Sequence, residues 1–429
     1  MFPASLLHTY RLGALSLIAS TLALVACNAP PATVSALPTA PEVASGYRSD
    51  LHTQNATRHM AAAANPLAAA AGREMLRQGG SAIDAAIAMQ AVLTLVEPQS
   101  SGIGGGAMIV LWDGKAVRTY DGRETAPAGA SETLFLQADG KPMPFPQAQI
   151  GGRSVGTPGV LRALEMAHRQ HGRLPWATLF EPAIALAEKG FAISPRLHTM
   201  IASDPALPAS PEMAAYFLNA DGSPKAIGTL LQNPPLAKVL KRIATEGPDA
   251  LYQGPIAEEI VARVQGSKNP GSLSLSDLKG YQAKERAPLC TDYKRWQVCG
   301  MPPPSSGGIA VAQILGTLQA LEARDNRLAL ASMKPLKTDK PAGIEPPAEA
   351  VHLIAEAERL AYADRALYVA DSDFVPVPVA GLVAPTYLAS RAALIGERSM
   401  GSAQPGTPPG IQVAYTADRS PLRISTSQV

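Results

Sequence analysis

The chain has 429 residues, of which 46% are hydrophobic and 17% are charged, so it can bury a large core in one big domain or in two to three ordinary ones. Its 37 basic residues nearly balance its 35 acidic ones, and it contains no basic block or aromatic-basic alternation of the kind that follows a phosphate backbone. This composition indicates a globular protein of enzyme size and argues against nucleic acid as a partner.

The first 26 residues are typical of a signal peptide. Arg11 precedes an apolar run over residues 12–26, which is short for the ~20 apolar residues that a membrane-spanning helix needs. A proline-rich segment follows in place of basic stop-transfer residues, which also disfavours the alternative of a transmembrane helix. We therefore expect the protein to be exported.

Residues 24–27, LVAC, resemble a bacterial lipobox, in which the cysteine becomes the lipidated first residue of the mature protein. Cys27 is then a lipidation site that would hold the protein on a bacterial membrane, facing the periplasm. Ordinary cleavage nearby is the alternative. Residues 27–46, rich in Pro, Ala, Ser and Thr, are predicted to form a flexible tether.

Two adjacent helices are predicted ahead of a glycine-rich stretch. The first covers about residues 67–78, where alanine-rich sequence favours a helix and two glycines end it. Ser81 and Asp84 have the spacing of a capping box, which predicts the start of the second helix. Its near-continuous apolar content up to Val96 predicts that this helix is buried on most sides.

The glycine-rich residues 102–107 formally match the dinucleotide-binding pattern GxGxxA. That site requires a strand, the glycines and then a helix, whereas here a helix precedes and a strand follows. A tight turn that lets backbones approach closely is the better interpretation. Apolar runs at 107–112 and 116–120 around an Asp-Gly turn then predict a strand hairpin.

Further helices and a turn are predicted later in the chain. Residues 174–191 are interpreted as one helix that ends at Gly190, and a long helix spans roughly 347–370. Residues 331–347 have lysines, prolines and no apolar period, so they form an exposed loop or linker. The turn at 301–308 leads into a helix, where a capping serine is a simpler role for its Ser-Ser pair than catalysis.

Cysteines and histidines give little support for a metal site. Cys290 and Cys299 could form a disulfide across an exported hairpin, but they lack further Cys or His ligands close by in sequence. His168 and His171 could share one helix face, and without a third ligand a solvated helix surface is the better interpretation. We predict no metal and no cofactor.

Five segments, taken in order, resemble the gamma-glutamyltransferase family, also called gamma-glutamyltranspeptidase or glutathione hydrolase. The resemblance runs from about residue 58 to residue 393, and the ordered set is far more specific than any one segment. The segments are VEPQSSGIGGG, DGRETAP, RLPWATLFEPAIALAEKGF, CGMPPPSSGG and HLIAEAERLAYADRALYVADSDFVPVPVAGL.

This resemblance implies an α/β (α+β) fold, the four-layer αββα sandwich of N-terminal-nucleophile hydrolases. It also implies a precursor that cuts itself into a large and a small subunit, with residues 47–425 forming the large-subunit domain. Arg123 of DGRETAP matches the family arginine that holds the α-carboxylate of the gamma-glutamyl group, a role that suits the planar donor fork of a guanidinium. From the residues alone, an ion pair with neighbouring Glu124 or Asp121 is the alternative.

The family's nucleophile opens a Thr-Thr-His or Thr-Ser-His motif and becomes a new N-terminus when the precursor cleaves. Thr426 and Ser427 match the first two positions, and Gln428 stands where histidine is usual. The resemblance therefore implies cleavage between Ser425 and Thr426, with residues 426–429 as the first of a small subunit that is otherwise absent. A frayed polar tail is the alternative.

We therefore predict the large subunit, or a truncated precursor, of an exported gamma-glutamyltransferase that acts on glutathione and related compounds. The partners implied are the small subunit of the same precursor and a gamma-glutamyl substrate, with membrane contact only through the lipid anchor. Two alternatives are a cephalosporin-acylase-like amidase of the same fold and an inactive truncated relic. Retention of Arg123 favours the gamma-glutamyl group over the acylase substrate.

Overall fold

The computed structural model describes residues 55–325 and 347–411, which form a mixed structure of helices and short antiparallel sheets. The α-helices are α1 Pro66–Arg77, α2 Ala82–Val96, α3 Phe145–Gln149, α4 Val160–His171, α5 Glu181–Lys189, α6 Pro195–Ser203, α7 Pro211–Phe217, α8 Pro234–Glu246, α9 Asp249–Tyr252, α10 Gly254–Gln265, α11 Leu275–Gly280, α12 Gly307–Asp325, α13 Ala348–Tyr368, α14 Val379–Leu382 and α15 Pro385–Ala392. The strands are β1 Ala107–Trp112, β2 Val117–Gly122, β3 Phe191–Ala192, β4 Leu230–Leu231, β5 Lys284–Arg286, β6 Leu289–Tyr293 and β7 Trp296–Gly300. Short 3-10 helices lie at Gly152–Ser154, Trp176–Phe180 and Leu207–Ala209.

The first two helices begin where the sequence predicts. The side chain of Asn65 accepts a hydrogen bond from the backbone of Leu67 at the start of α1. At the start of α2, Ser81 and Asp84 form both hydrogen bonds of the predicted capping box, which satisfies backbone N–H groups that have no partner within the helix. Much of α2 is buried, from Ile83 to Val96, which confirms the predicted packing.

The predicted hairpin is confirmed, and it belongs to a three-stranded sheet with the order β1-β2-β5. Strand β2 extends to Gly122, two residues beyond the predicted run. Ile109 lies opposite Tyr120, and both pack against the main core. Directly opposite residues share a sheet face and alternate residues point to the other face, so the second face of β1 carries Val110 and Trp112, which are exposed.

Residues 174–191 differ from the single predicted helix. A 3-10 helix at Trp176–Phe180 precedes the α-helix Glu181–Lys189. Pro182 lies in the first turn of that α-helix, where its missing N–H costs little, whereas inside one continuous helix it would remove a hydrogen bond and clash with the preceding turn. The predicted end at Gly190 is correct, and this glycine has a φ of 94°.

The buried apolar residues divide into one large core and two smaller clusters. The large core joins α1, α2, α4, α5, α8 and one face of the hairpin. The second cluster packs α12 against α13 and α15, through residues such as Leu318, Leu360 and Ala392. The third includes Ile309, Leu382 and Tyr387. Hydrogen bonds from Arg286 to Asp121 and Asp373 link the sheet to the turn that follows α13.

The long helix predicted at 347–370 is confirmed as α13. Most of the predicted loop at 331–347 lies outside the described residues, as do the expected domain boundaries after residues 26, 46 and 425. Within the described ranges, no helix combines the length and apolar character needed to span a membrane.

Candidate functional site

Arg123 lies directly after strand β2, and its backbone is held from two sides. Its N–H donates to Oδ1 of Asp121 at 2.8 Å, and its carbonyl accepts from the hydroxyl of Tyr281 at 2.8 Å. The side chain points outward, with 64% of its surface exposed. The backbone of Arg123 is therefore fixed while its guanidinium is open to a ligand.

The guanidinium of Arg123 pairs with its neighbour in the chain. Its Nη1 donates to Oε2 of Glu124 at 2.6 Å, so the ion pair considered from the sequence is present. Within the described ranges, Glu124 is the only residue recorded to accept a hydrogen bond from this guanidinium. An arginine presents five N–H donors, which leaves most of the donor fork of Arg123 for another acceptor.

The glycine-rich turn packs against this site as the sequence predicts. A side chain at Gly106 would lie 2.5 Å from Oε2 of Glu124 and 2.7 Å from the carbonyl of Gly122. The carbonyl of Gly105 accepts from the N–H groups of Gly159 and Val160 at 3.0 and 3.1 Å, where α4 begins. These glycines let three backbone segments converge beside Glu124, and the helix-before-strand order excludes the dinucleotide site.

Tyr281 completes the contact between these segments. A Cβ atom at Gly159 would overlap both the Tyr281 hydroxyl and the carbonyl of Gly122. Burial, assisted by the nearby carboxylates of Asp121 and Glu124, raises the pKa of Tyr281 well above its usual value. The hydroxyl therefore remains protonated at neutral pH and donates to Arg123.

Four charged residues form a network at the second face of the sheet. Asp121, Lys284 and Arg286 belong to its strands, and Asp373 reaches them from the turn after α13. Arg286 donates its Nε to Oδ2 of Asp121 at 2.7 Å and its two terminal nitrogens to Asp373 at 3.1 and 2.6 Å. Lys284 donates to Asp373 at 2.6 Å. The hydrogen bonds from Arg286 and then Lys284 hold the pKa of Asp373 far below its usual range, so it is ionised at neutral pH.

Sequence reasoning missed this charged group, because its members lie far apart in the chain. Asp121 and Arg286 are separated by 165 residues, and Arg286 and Asp373 by 87. The one available signal is that Asp121 and Asp373 both fall inside the segments that carry the family resemblance. Their contact with each other through Arg286 could not be read from those segments.

A polar cavity of about 410 Å³ lies beside the site. Its lining includes Thr125, Thr157 and Lys284, and Tyr281, whose hydroxyl donates to the carbonyl of Arg123. The hydroxyl of Thr157 is buried and has no hydrogen-bond partner within the described structure. The cavity therefore offers polar groups close to the backbone of Arg123.

Of the other predicted site residues, the structure describes only the two later cysteines. The structure joins Cys290 to Cys299 in a disulfide across the β6–β7 hairpin. Cys27, Ser425 and Thr426 lie outside the described residues. Within the described part of the chain, no group of three His, Cys, Asp or Glu side chains could hold a metal ion.

The two histidines on α4 do not form a solvated surface, so that prediction is wrong. Nε2 of His168 lies 2.9 Å from the carbonyl of Leu174, and Nε2 of His171 lies 2.7 Å from the hydroxyl of buried Tyr120. Both side chains are partly buried. They contact different groups, because tertiary packing on α4 supplies each ring with its own partner.

The serines before α12 fit a structural role. The hydroxyl of Ser305 accepts from the N–H of Gly307 at 3.2 Å, as a capping serine does. The hydroxyl of Ser306 accepts from Nε of Arg365 at 2.9 Å. Both hydroxyls therefore have partners within the described structure, and the contact of Ser305 with the first residue of α12 agrees with the capping interpretation.

Comparisons with known proteins agree with the resemblance. The family described as gamma-glutamyltranspeptidase matches residues 68–423. The chain is 39% identical to a "Glutathione hydrolase proenzyme" of Bacillus subtilis over 338 residues, which are 78% of this chain and 54% of that protein. It is 37% identical to an "Acylase ACY 1 proenzyme" of a Pseudomonas species, with 79% and 58% covered. The chain thus spans about half the length of these curated relatives.

A solved structure gives the same result for the fold. The structure of Helicobacter pylori gamma-glutamyltranspeptidase superposes with a TM-score of 0.74 at 31% identity. The match covers 86% of this chain and 100% of that one. The mixed helix-and-sheet architecture described above is therefore the fold expected from the sequence, that of the N-terminal-nucleophile hydrolases.

Proposed function

The chain belongs to the gamma-glutamyltranspeptidase family, and from this we propose that it is the large-subunit part of an enzyme that cleaves the gamma-glutamyl amide bond of glutathione and related compounds. The gamma-glutamyl group passes to the enzyme and then to water or to an amino-acid or peptide acceptor. The observation that carries the proposal is the open guanidinium of Arg123 on a fixed backbone.

Arg123 suits the α-carboxylate of the gamma-glutamyl group. A guanidinium binds a carboxylate through two parallel N–H···O bonds and remains charged at every relevant pH. Its backbone is anchored by Asp121 and Tyr281, so binding does not require the main chain to become ordered. The contact with Glu124 uses one terminal nitrogen, which orients the fork and leaves its other donors available.

The chemical step is assigned to Thr426. A threonine hydroxyl is a weak nucleophile, and its own free α-amine can act as general base once the bond after Ser425 is cut. The hydroxyl would attack the gamma-glutamyl carbonyl, expel the amine of the leaving group and form an acyl-enzyme that water or an acceptor amine then opens. Backbone N–H donors would stabilise the oxyanion. This assignment is supported by the motif match at residues 426–427.

The small subunit of the same precursor is the proposed partner. Curated relatives are named proenzymes, and the Helicobacter pylori chain that this one covers completely is that of a gamma-glutamyltranspeptidase. Val110 and Trp112, on the face of β1 away from the main core, are 49% and 63% exposed. A second sheet laid on this face would bury both side chains.

We place the protein in the bacterial periplasm, lipid-anchored through Cys27. The support is the sequence alone: the apolar run at 12–26, the lipobox-like residues 24–27 and the tether that follows. Mass spectrometry of the N-terminal peptide tests this, because a diacyl-modified Cys27 and an ordinary cleaved terminus differ in mass.

The second candidate function is that of an acylase, which the likeness to the Pseudomonas acylase favours. The two functions differ in what the substrate offers to Arg123. A gamma-glutamyl donor has an α-carboxylate, and a donor that lacks this group leaves the guanidinium without a ligand. We therefore keep the gamma-glutamyl group as the main proposal.

The first test is to purify the protein from its native membrane fraction and sequence the N-termini of every chain present. A companion chain that begins at Thr426 supports self-cleavage and the nucleophile. Activity toward gamma-glutamyl-p-nitroanilide supports the substrate class. A preparation with neither result contradicts the proposed function.

The second test compares Arg123→Gln with Arg118→Gln. Arg118 is a matched control because it is an exposed arginine of β2 that pairs with Asp113. Loss of two charge-assisted hydrogen bonds at about 1.5 kcal/mol each predicts a fall of about 100-fold or more in kcat/KM for Arg123→Gln. Arg118→Gln should keep wild-type activity. An equal effect of the two changes would contradict the role of Arg123.

A further inference from the structure

The position of Arg123 depends on the carboxylate of Asp121. Oδ1 of Asp121 accepts the backbone N–H of Arg123, while Oδ2 accepts Nε of Arg286. Asp121 is only 6% exposed. A carboxylate with both oxygens engaged in a buried position cannot turn without losing a charged hydrogen bond, so Arg286 fixes the group that holds Arg123.

Arg286 is in turn fixed by Asp373. The two form a fork-to-fork pair through both terminal nitrogens of the guanidinium and both carboxylate oxygens. Thr119 lies opposite Arg286, and Asp121 lies opposite Lys284, so these side chains share the second face of the sheet. The side chain of Arg286 is 14% exposed, and all its side-chain nitrogens donate to Asp121 or Asp373.

Asp373 comes from a different part of the fold. It follows α13, in a turn where the backbone N–H of Asp373 donates to Oδ1 of Asp371 at 2.9 Å. The N–H groups of Phe374 and Val375 donate to the carbonyl of Asp371 at 3.1 and 3.0 Å. The turn is flanked by Val369 and Val377, which pack against the third apolar cluster. The turn thus fixes the backbone of Asp373, and the carboxylate extends from it to Lys284 and Arg286 of the sheet.

We infer that Asp373 is a positioning residue for the carboxylate-binding arginine, and that it acts on Arg123 through Arg286 and Asp121. Without Asp373, Arg286 keeps one carboxylate partner and is free to rotate. Asp121 is then free to turn and to compete with the substrate carboxylate for the guanidinium of Arg123. The inference rests on the proposed function, because it needs Arg123 to bind the gamma-glutamyl group.

The expected effect is on substrate binding. Asp373→Asn removes the charge while keeping the size of the side chain. We expect KM for gamma-glutamyl-p-nitroanilide to rise about 10-fold, which corresponds to ~1.4 kcal/mol, with kcat changed less than two-fold. Glu322→Gln is the control, because Glu322 pairs with Lys294 and its side chain is 32% exposed, against 31% for Asp373.

Two further measurements separate positioning from general damage. The donor 4-aminobutyryl-p-nitroanilide lacks the α-carboxylate, so its kcat/KM should be unchanged by Asp373→Asn. In an Arg123→Gln background, Asp373→Asn should have no further effect on the gamma-glutamyl donor, because residues that act through one another are not additive. Equal losses with both donors, or additive losses in the double variant, overturn the inference.

A second variant keeps the inference testable if Asp373→Asn does not fold. Arg286→Lys keeps the positive charge but cannot reach Asp121 and Asp373 in the same forked geometry, so it should reproduce the rise in KM. All variants are measured in the protein as its native gene encodes it. If the wild type does not cleave the gamma-glutamyl donor, the proposed function fails. If the wild type is active and both variants keep its KM, the inference alone fails.

Discussion

Asp364 is the centre of a buried polar network whose disruption should destabilise the fold strongly. This residue of α13 is 1% exposed. Its carboxylate lies 3.1 Å from Nη2 of Arg391 and accepts from the hydroxyl of Tyr387 at 2.8 Å and from Nε2 of Gln313 at 3.0 Å. The backbone N–H of Gly406 also donates to it, at 2.8 Å. The network ties three helices and the segment after α15 to one charge.

The magnitude follows from the burial of both charges. Arg391 is 5% exposed, so Asp364→Ala leaves a buried guanidinium without its counter-ion. Removing one partner of a buried pair costs ~3–5 kcal/mol, because the remaining charge is not compensated. Tyr387 and Gln313 also lose Asp364 as a hydrogen-bond acceptor, and each loss costs about 1 kcal/mol of stability. These contributions to the free energy of unfolding are not fully additive. We expect a loss of about 4 kcal/mol in the free energy of unfolding.

The assay is urea unfolding followed by circular dichroism. Replacing the pair by apolar residues of similar size, Asp364→Leu with Arg391→Met, should recover much of the loss, since such replacements are often neutral in other proteins. Glu246→Gln, which breaks an exposed pair with Arg242, should leave the midpoint unchanged. If Asp364→Ala costs less than about 1 kcal/mol, or if the double variant is no better than the single one, the reasoning is wrong.

Three more predictions concern the candidate site and the hairpin turn between β1 and β2. Tyr281→Phe removes the hydrogen bond to the carbonyl of Arg123 and should cost about 1 kcal/mol of stability by urea unfolding. KM for the gamma-glutamyl donor should also rise. An unchanged KM would count against Tyr281 as an anchor of the Arg123 backbone. Gly159→Ala creates the overlap with Tyr281 and should destabilise by about 1–3 kcal/mol, whereas Gly396→Ala, with open space around it, should not. Backbone N–H donors lower the pKa of Asp113 to about 2, so its carboxyl carbon should titrate near that value by NMR. The turn that Asp113 supports should persist at pH 4 and loosen as the pH falls through 2, and a midpoint near 4 would contradict this.

Local sequence was sufficient for the elements whose signals are short-range. The capping box of Ser81 and Asp84, the end at Gly190 and the hairpin around residues 113–114 each depend on residues within a few positions of one another. The prediction of a single helix at residues 174–191 is wrong because apolar periodicity continues through both helical types, while Pro182 determines where the α-helix begins.

For the candidate site, the sequence supplied Arg123 and the glycines of residues 102–107, because both lie in short segments with a recognisable composition. It also supplied Glu124 as the neighbour with which an ion pair forms. The roles of Tyr281, Arg286 and Asp373 depended on contacts across 87 to 165 residues. No local pattern encodes such contacts, because the strand register and the end of α13 bring them together.

The sequence by itself determined the family, the first two helices, the hairpin and the long helix at residues 347–370, and it supplied the arginine that we propose as the ligand of a carboxylate. Only the tertiary structure decided how that arginine is held. The physical reason is that propensity, capping and turn chemistry act over a few residues, whereas fixing a charged side chain requires opposite charges from distant segments. Folding brings Asp121, Arg286 and Asp373 together on one sheet face, and that arrangement leaves Arg123 a fixed backbone with an open guanidinium.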